Sequence, residues 1–415
     1  MTDVPAGAVN EVNEKALARR VKDHVVGRRH EFFAIVHPGF EATACRELAG
    51  LGIAAPRIQG SGGVEFSGKL DDAWRVNLGA GTASRVLLRL CEFKATGFGE
   101  FRAKLADFPW ELHLADGARV TFSIHAGRSR LWHEGKLEAE AARAIAERLA
   151  VHGRRASFSE KADGSPSGRQ TVFLRLDENR CQASLDTSGE LLYRRGHGKF
   201  VEQAPLRETL ACSVLRAATL EHYRVLIDPF CGSGTFALEA GAIFTGRPVN
   251  FDRFFAFQDW PSFKLARFQH VKAELEREFK EKALTGAHKI YCSDIDPKAV
   301  ATAGHNVEQS GIAPLVEIDQ ADFFRLHPPA CAPADVLLVM NPPYGARQEL
   351  GGDIASFYRQ IGDKVRRDYA GCGYAIIVPG LELEKALGLP HEQKILFHNG
   401  GIGVALLIHR PAGNP

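Results

Sequence analysis

Asp228-Pro-Phe-Cys-Gly-Ser-Gly-Thr235 closes the apolar run that begins at Arg224 and leads into Phe236, Leu238 and Ala240. The order is strand, tight turn, helix. Gly232 and Gly234 allow the backbone to turn sharply and approach a ligand, and free N–H groups at the start of a helix favour polar or anionic atoms. A lone Gly-x-Gly is equally a plain strand-to-helix turn. Asp228 at the strand tip sharpens the ligand reading.

Downstream, apolar strands are expected at 224–230, 289–294, 315–322, 335–343 and 373–379, followed by 394–399 and 404–410. The first five are near-continuous apolar runs, as in parallel strands covered by helices on both faces. The last two flank a glycine-rich turn and should pair antiparallel. With a helix from Pro205 to about Leu220, residues 205–415 predict an α/β Rossmann-like domain, a seven-stranded mostly parallel sheet with a C-terminal antiparallel hairpin.

Upstream, short strands (32–36, 64–66, 84–90, 119–124, 171–176, 180–186) alternate with helices (40–51, 69–78, 98–106, 136–151), which predicts α+β modules over 31–190. Residues 191–204 read as a linker and 160–168 as an exposed loop. Residues 1–30 carry Lys15, Arg19, Arg20, Lys22, Arg28 and Arg29 with few apolar positions, and read as a mobile basic arm. Trp110 and Trp132 are expected in the core.

Hydrophobic residues make up 45% of the 415 and charged residues 25%, which excludes a largely disordered chain. No stretch approaches the ~20 apolar residues that span a bilayer, and the first 30 residues lack a signal-type apolar segment, so a cytoplasmic protein without membrane contact is expected. The eight cysteines form no Cys-x-x-Cys pair, so no metal site is expected. Residues 1–200 hold 30 Lys and Arg against 25 Asp and Glu, whereas residues 201–415 hold 22 against 25. The base-rich half suits either a polyanion or an ordinary solvated surface.

Three further signals lie at expected strand ends. Asp294, in Cys292-Ser-Asp-Ile-Asp-Pro297, suits the ribose hydroxyls of a nucleotide, or the cap of the helix that Pro297 begins. Asp296 lies two residues on. Asp294 stands 60 residues after Gly234, against about 20 in a plain dinucleotide fold, so an excursion containing Arg247, Arg253, Phe254, Phe255, Phe257 and Trp260 must intervene. Asp322 can accept a hydrogen bond from an adenine amino group or sit in a solvated loop. In Asn341-Pro-Pro-Tyr344, two prolines remove N–H donors and leave the Asn341 amide oxygen and the Pro342 carbonyl as acceptors for an exocyclic amine. Tyr344 offers a face for stacking.

DPFCGSGT, SDIDP, QAD and NPPYG in this order resemble the class I S-adenosylmethionine-dependent methyltransferases of exocyclic nitrogens. APLRETLA (204–211), RFFAFQDW (253–260) and SLDTSGELLYRRGHG (184–198), with HPGFE (37–41), GGVEF (62–66) and SRVLLRL (84–90), are similar to the bacterial THUMP-bearing RNA guanine-N2 methyltransferases, the RlmL-like group. The resemblance runs from Phe32 to Arg410. It implies a ferredoxin-like and THUMP portion over 31–190 that binds RNA, S-adenosylmethionine as cofactor, and one active site, since 71 residues follow Tyr344.

The resemblance further implies that Asp228, Phe230, Gly232 and Gly234 line the methionine side of the cofactor, that Asp294 with Asp296 serves the ribose and Asp322 the adenine, and that Arg207 and Glu208 close the pocket. Asn341, Pro342 and Tyr344 then hold the target amine. Arg128, Arg130, Arg154, Arg155, Arg194, Arg195 and Lys199 are the candidate phosphate contacts. The implied substrate is ribosomal RNA of the large subunit before tRNA, and no obligate protein partner is evident. DNA or protein amino-methyltransferases share Asn-Pro-Pro-Tyr, and a non-catalytic RNA-binding factor is the remaining alternative.

Overall fold

The computed structural model describes residues 6–158, 168–195, 206–284, 286–344 and 353–411. The N-terminal half comprises α1 (Ala6–Val21), β1 (His30–Val36), α2 (Glu41–Gly50), β2 (Arg57–Ile58), β3 (Gly63–Gly68), α3 (Leu70–Gly79) and β4 (Ala83–Lys94). It continues with α4 (Phe98–Asp107), β5 (Ala118–Gly127), α5 (Glu134–Val151), β6 (Ala156–Phe158), β7 (Arg169–Asp177) and β8 (Arg180–Asp186). The strands form one sheet in the order β2-β3-β1-β4-β8-β7-β5-β6.

The long strand β4 joins two modules. Its first residues pair antiparallel with β1, and Leu87 to Lys94 pair with β8, with a register shift between Arg89 and Cys91. One core lies beneath the whole sheet. Alternate residues of β7 (Val172, Leu174, Leu176) are buried with Leu137, Ala141, Ile145 and Leu149 of α5, the four-residue repeat visible in the sequence. Burial of each Leu or Ile contributes about 1.5–3 kcal/mol.

The second half comprises α6 (Glu208–Ala217), β9 (Val225–Asp228), α7 (Thr235–Thr245), α8 (Leu265–Glu281), β10 (Lys289–Asp294), α9 (Pro297–Ser310), β11 (Val316–Gln320) and β12 (Val336–Met340). Then come α10 (Ile354–Asp368), β13 (Gly373–Pro379), α11 (Gly380–Leu387), β14 (Gln393–Asn399) and β15 (Ile402–His409). The sheet order is β11-β10-β9-β12-β13-β15-β14. β9 to β13 run parallel to one another, and β15 pairs antiparallel with both β13 and β14. The expected seven-stranded sheet is therefore present. The chain leaves β9 toward β10 and β11 and returns to β12 on the other side, which opens a crevice at the carboxyl ends of β9 and β12.

The excursion between α7 and β10 belongs structurally to the N-terminal half. Phe255, Phe257, Trp260, Phe268, Val271 and Leu275 lie in the first core, with Phe257 stacked on Trp74 at 5.5 Å. Trp260 Nε1 donates to Gln170 Oε1 at 2.7 Å, and Gln170 Nε2 donates to the Ala256 carbonyl at 3.0 Å. Arg75 pairs with Glu278 and Arg267 with Asp71 along the rim. The 60-residue gap in the sequence is thus a strap across both halves.

Several expectations change. The basic arm is a helix that runs on as a π-helical turn, Lys22–Val26, with Val21 and Val25 buried. Arg20 pairs with the fully buried Glu111, which also binds Arg148 and His152. Burial alone would raise the Glu111 carboxyl, but hydrogen bonds from Arg148 and Arg20 hold it down at about 2. Trp110 is buried as expected, whereas Trp132 is 70% exposed because it sits in the turn before α5.

Arg195 is corrected most firmly. It is buried and forks onto Glu239 of α7 at 3.0 and 2.9 Å, and its remaining donors reach the Leu192 and Gly81 carbonyls. With its donors turned inward, it cannot meet a phosphate. The pair ties α7 to the N-terminal half.

Breaking a buried pair strands the other charge at a cost of about 3–5 kcal/mol. Arg195→Met should lower the unfolding free energy by about that amount in denaturant titration; a loss below ~1 kcal/mol would remove the pair from the account of how α7 is held.

Candidate active site

β9 delivers Asp228 to the crevice with 1% exposure. Its Oδ1 accepts from the Phe230 N–H at 3.3 Å, while Oδ2 is buried without a partner among the described residues. Burial, reinforced by the nearby Asp294 charge, pushes the carboxyl up to about 8 against the opposing Phe230 hydrogen bond. A buried acceptor with no donor costs free energy unless a ligand supplies one.

The glycine turn fits tightly. Gly234 takes φ +79° and starts α7, and a Cβ there would approach Ala303 of α9 at 3.3 Å. Gly232, at φ +52°, has open space where a Cβ would lie, so its backbone borders the crevice rather than the core. Its N–H donates to Asp294 Oδ2 at 3.0 Å, and the Cys231 N–H donates to the Ser293 carbonyl at 3.0 Å. These bonds fix the turn against the tip of β10.

The structure separates the two carboxylates of Ser-Asp-Ile-Asp-Pro. Asp296 caps α9, accepting from the Lys298 N–H at 2.9 Å. Asp294 therefore does not cap; its oxygens accept one backbone N–H each, from Gly232 and Asp296, and keep lone pairs for two hydroxyl donors. Between them Ile295 is 66% exposed, an apolar side chain at the crevice tip that sequence reasoning passed over. Asp322 caps a 3-10 turn through the Phe324 N–H at 3.0 Å. Phe230 lies against Phe323 and Phe357 at 5.5 and 6.2 Å, forming an aromatic wall.

Asn341 follows β12 directly, and its Oδ1 is a second buried acceptor without a partner among the described residues. Pro342 is buried beside it. The Tyr344 hydroxyl accepts from Asn399 Nδ2 of the terminal hairpin at 2.5 Å, which holds the half-buried ring in place. Neither Asn399 nor Tyr358, whose buried hydroxyl is raised above its ordinary range by burial and by Tyr344, was singled out from sequence. Arg207 and Glu208 stand at the start of α6; Arg207 lies over the Tyr193 ring at 5.2 Å.

The basic candidates are scattered. Arg128 is forked onto Asp177 at 2.9 and 2.6 Å, with Glu178 at 3.6 Å. Arg130 and Arg155 are exposed; the backbone N–H of each binds Asn179 and Asp116, leaving the guanidinium in solvent. Arg154 is half-buried, and Arg194 is exposed near Glu190 at 3.5 Å. Lys199 lies outside the described residues. Among the described residues, no group of three His, Cys, Asp or Glu could hold a metal, and no helix is long and apolar enough to cross a membrane.

Residues 195–408 match the RMKL-like methyltransferase domain and residues 31–87 the RlmL ferredoxin-like domain. A putative RNA methyltransferase of Synechocystis sp. is 30% identical over 382 residues, covering 91% of this chain and 95% of the relative. The ribosomal RNA large subunit methyltransferase K/L of Syntrophotalea carbinolica is 30% identical over 391 residues, 91% of this chain but 53% of the relative. The chain thus spans about half the length of the K/L relatives it matches. The crystal structure of a possible methylase from Clostridium difficile 630 superposes with a TM-score of 0.81 at 24% identity, covering 94% of this chain and all of that one. Asp228 Oδ2 and Asn341 Oδ1, without partners among the described residues, stand at the switch point of such a sheet, and with the family match over 214 residues this chain belongs to the RMKL-like methyltransferase family.

Proposed function

We propose that the chain transfers the methyl group of S-adenosylmethionine to the exocyclic N2 of a guanosine in RNA, and that this RNA is the large-subunit ribosomal RNA of the cytoplasm. The observation that carries the reading is the buried, unpartnered Oδ1 of Asn341. A buried acceptor calls for a donor, and an exocyclic amine of the substrate is one. The names of the relatives favour ribosomal RNA over tRNA.

The cofactor supplies an electrophilic methyl on a sulfonium, which the amine takes in line. The residues of the crevice fit it. Asp228 Oδ2 suits its cationic end, Asp294 its ribose hydroxyls, and exposed Ile295 a face of its purine; Asp322, beside them, suits the purine amino group. Asp296 is left the helix cap.

A guanine N2 is a weak nucleophile because its lone pair is delocalised into the ring. Asn341 and the Pro342 carbonyl, accepting its N–H bonds, favour a pyramidal nitrogen and orient the lone pair; positioning and fixed dipoles are the main contributions. Tyr344, held through Asn399, presents its ring to the base. A base must leave its stack to reach such a pocket, so unpaired or extruded guanines are favoured. The released proton passes to solvent.

Methyl-labelled cofactor and unmodified total RNA, fractionated into rRNA and tRNA, test the reading. N2-methylguanosine is expected in large-subunit rRNA; label only in tRNA would replace the substrate, and no label in either would remove the reaction. Asn341→Ala should lower kcat by ~10²–10³, in line with loss of a preorganised polar contact, with cofactor affinity nearly unchanged. An equal loss of both would sink the assigned role.

Asp228 gives a pH signature. A carboxyl raised from 3.8 to about 8 contributes stability that is complete below 3.8 and lost as pH rises through about 8. A cationic ligand requires the anion, so cofactor affinity should fall as pH drops below 8, by up to about tenfold per unit. Titration calorimetry of the native chain and of Asp228→Asn between pH 6 and 9 compares the slopes; identical slopes would disprove the coupling.

A further inference from the structure

Away from the crevice, the turn after α1, β4 at Arg89 and Leu90, and the segment between α4 and β5 line an open cavity of about 450 Å³. Four arginines line it, Arg20, Arg28, Arg29 and Arg89, and no Asp or Glu does. Neighbouring carboxylates are engaged: Glu111 is shared by Arg20, Arg148 and His152, Asp23 pairs with Arg19, and Glu65 and Glu92, near Arg89, pair with Arg57 and Arg180. Arg28 is exposed and has no partner among the described residues. Arg29 reaches the Ser67 carbonyl at 2.7 Å, and Arg89 lies half-buried over the Phe33 ring at 4.3 Å with its guanidinium on Ser184 Oγ at 3.4 Å. Such an excess of cations in a concave site focuses a field that attracts an anion.

A second, independent feature points to a ligand. His113, 7% exposed, lines the same cavity and stacks on Phe108 at 5.3 Å, and its Nδ1 is buried without a partner among the described residues. Its neighbour His30 is occupied by the Val25 carbonyl at 2.7 Å. Burial holds the His113 ring at about 3, so it is neutral and its nitrogen is a hydrogen-bonding group rather than a charge. Cations at the rim with an apolar, aromatic and singly polar floor match a phosphodiester with its attached base.

We propose that this cavity binds one nucleotide of the RNA strand, its phosphate among Arg20, Arg28 and Arg29 and its base against Phe108 and His113 Nδ1. The site is distinct from the methyl-transfer crevice and from the basic clusters expected from sequence. It rests on the RNA reading only for the identity of the polymer. The N-terminal segment, pinned through Glu111, supplies all three of these cations.

The test uses the full chain and a labelled single-stranded RNA, with fluorescence anisotropy over a salt series. Arg28→Gln with Arg29→Gln, both on exposed side chains, should weaken binding about tenfold and reduce the slope of log K against log salt by about 1.4, two contacts at ~0.7 each. His113→Phe keeps the stacking partner and removes the nitrogen; it should weaken binding with the slope unchanged. In methyl transfer the double variant should raise KM for RNA and leave kcat unaltered. Unchanged affinity and slope in the double variant, or no binding by the native chain, would overturn the proposal. Because binding is read without turnover, a chain that binds through these residues but methylates no guanosine would refute the reaction and leave the nucleotide site standing.

Discussion

A parallel sheet ordered β11-β10-β9-β12 cannot cover all its strand ends. The chain moves outward from β9 and then returns across it, so the connections leaving β9 and β12 diverge and the ends of both strands stay open. Everything chemical in the molecule follows from that parting. Asp228 ends β9 and Asn341 follows the adjacent β12, and each carries a buried oxygen without a partner among the described residues. An isolated unpaired acceptor is a defect; two at the one place where the topology cannot close mark the candidate site.

The surroundings hold that opening rigid. Asp294 receives the Gly232 N–H and so locks the glycine turn to β10, while Asp296 takes over the helix cap. Asn399 holds Tyr344 from the far hairpin. The Arg195–Glu239 pair and the Glu47–Arg216 pair at 2.8 Å join α7 and α6 to the N-terminal half. Glu47 also accepts from the Gly81 and Thr82 N–H groups, so its burial is compensated by hydrogen bonds as well as by charge.

The sequence made the second sheet nearly complete because its strands are apolar without interruption and its turns carry glycine and proline. It made the crevice legible for the same reason: Asp228, Asp294 and Asn341 each stand directly after an apolar run. What stayed hidden depends on partners far along the chain. Nothing local distinguishes Arg195 from Arg194, yet one meets Glu239, 44 residues on, and the other stays in solvent. Asn399 is 55 residues from Tyr344. The first helix looked too polar to pack because its contribution to the core is a narrow stripe, Val21 and Val25 with Leu17 beside them. Trp132 erred the other way, since a large ring in a turn has no layer to enter. Which carboxylate caps α9 is set by backbone angles that the letters Ser-Asp-Ile-Asp-Pro do not specify.

The strap between α7 and β10 alters what a break in the chain would mean. Residues 196–205 join the halves in sequence, but Trp74, Gln170 and Asn77 are completed by Phe257, Trp260 and Asn250 from beyond that join. A protease cutting there would release no free domain. The two fragments would stay clasped through a shared aromatic core, and either one made alone would lack side chains that only the other supplies. The molecule is therefore one cooperative body folded from interleaved segments, and fragment complementation, rather than domain excision, is the way to take it apart.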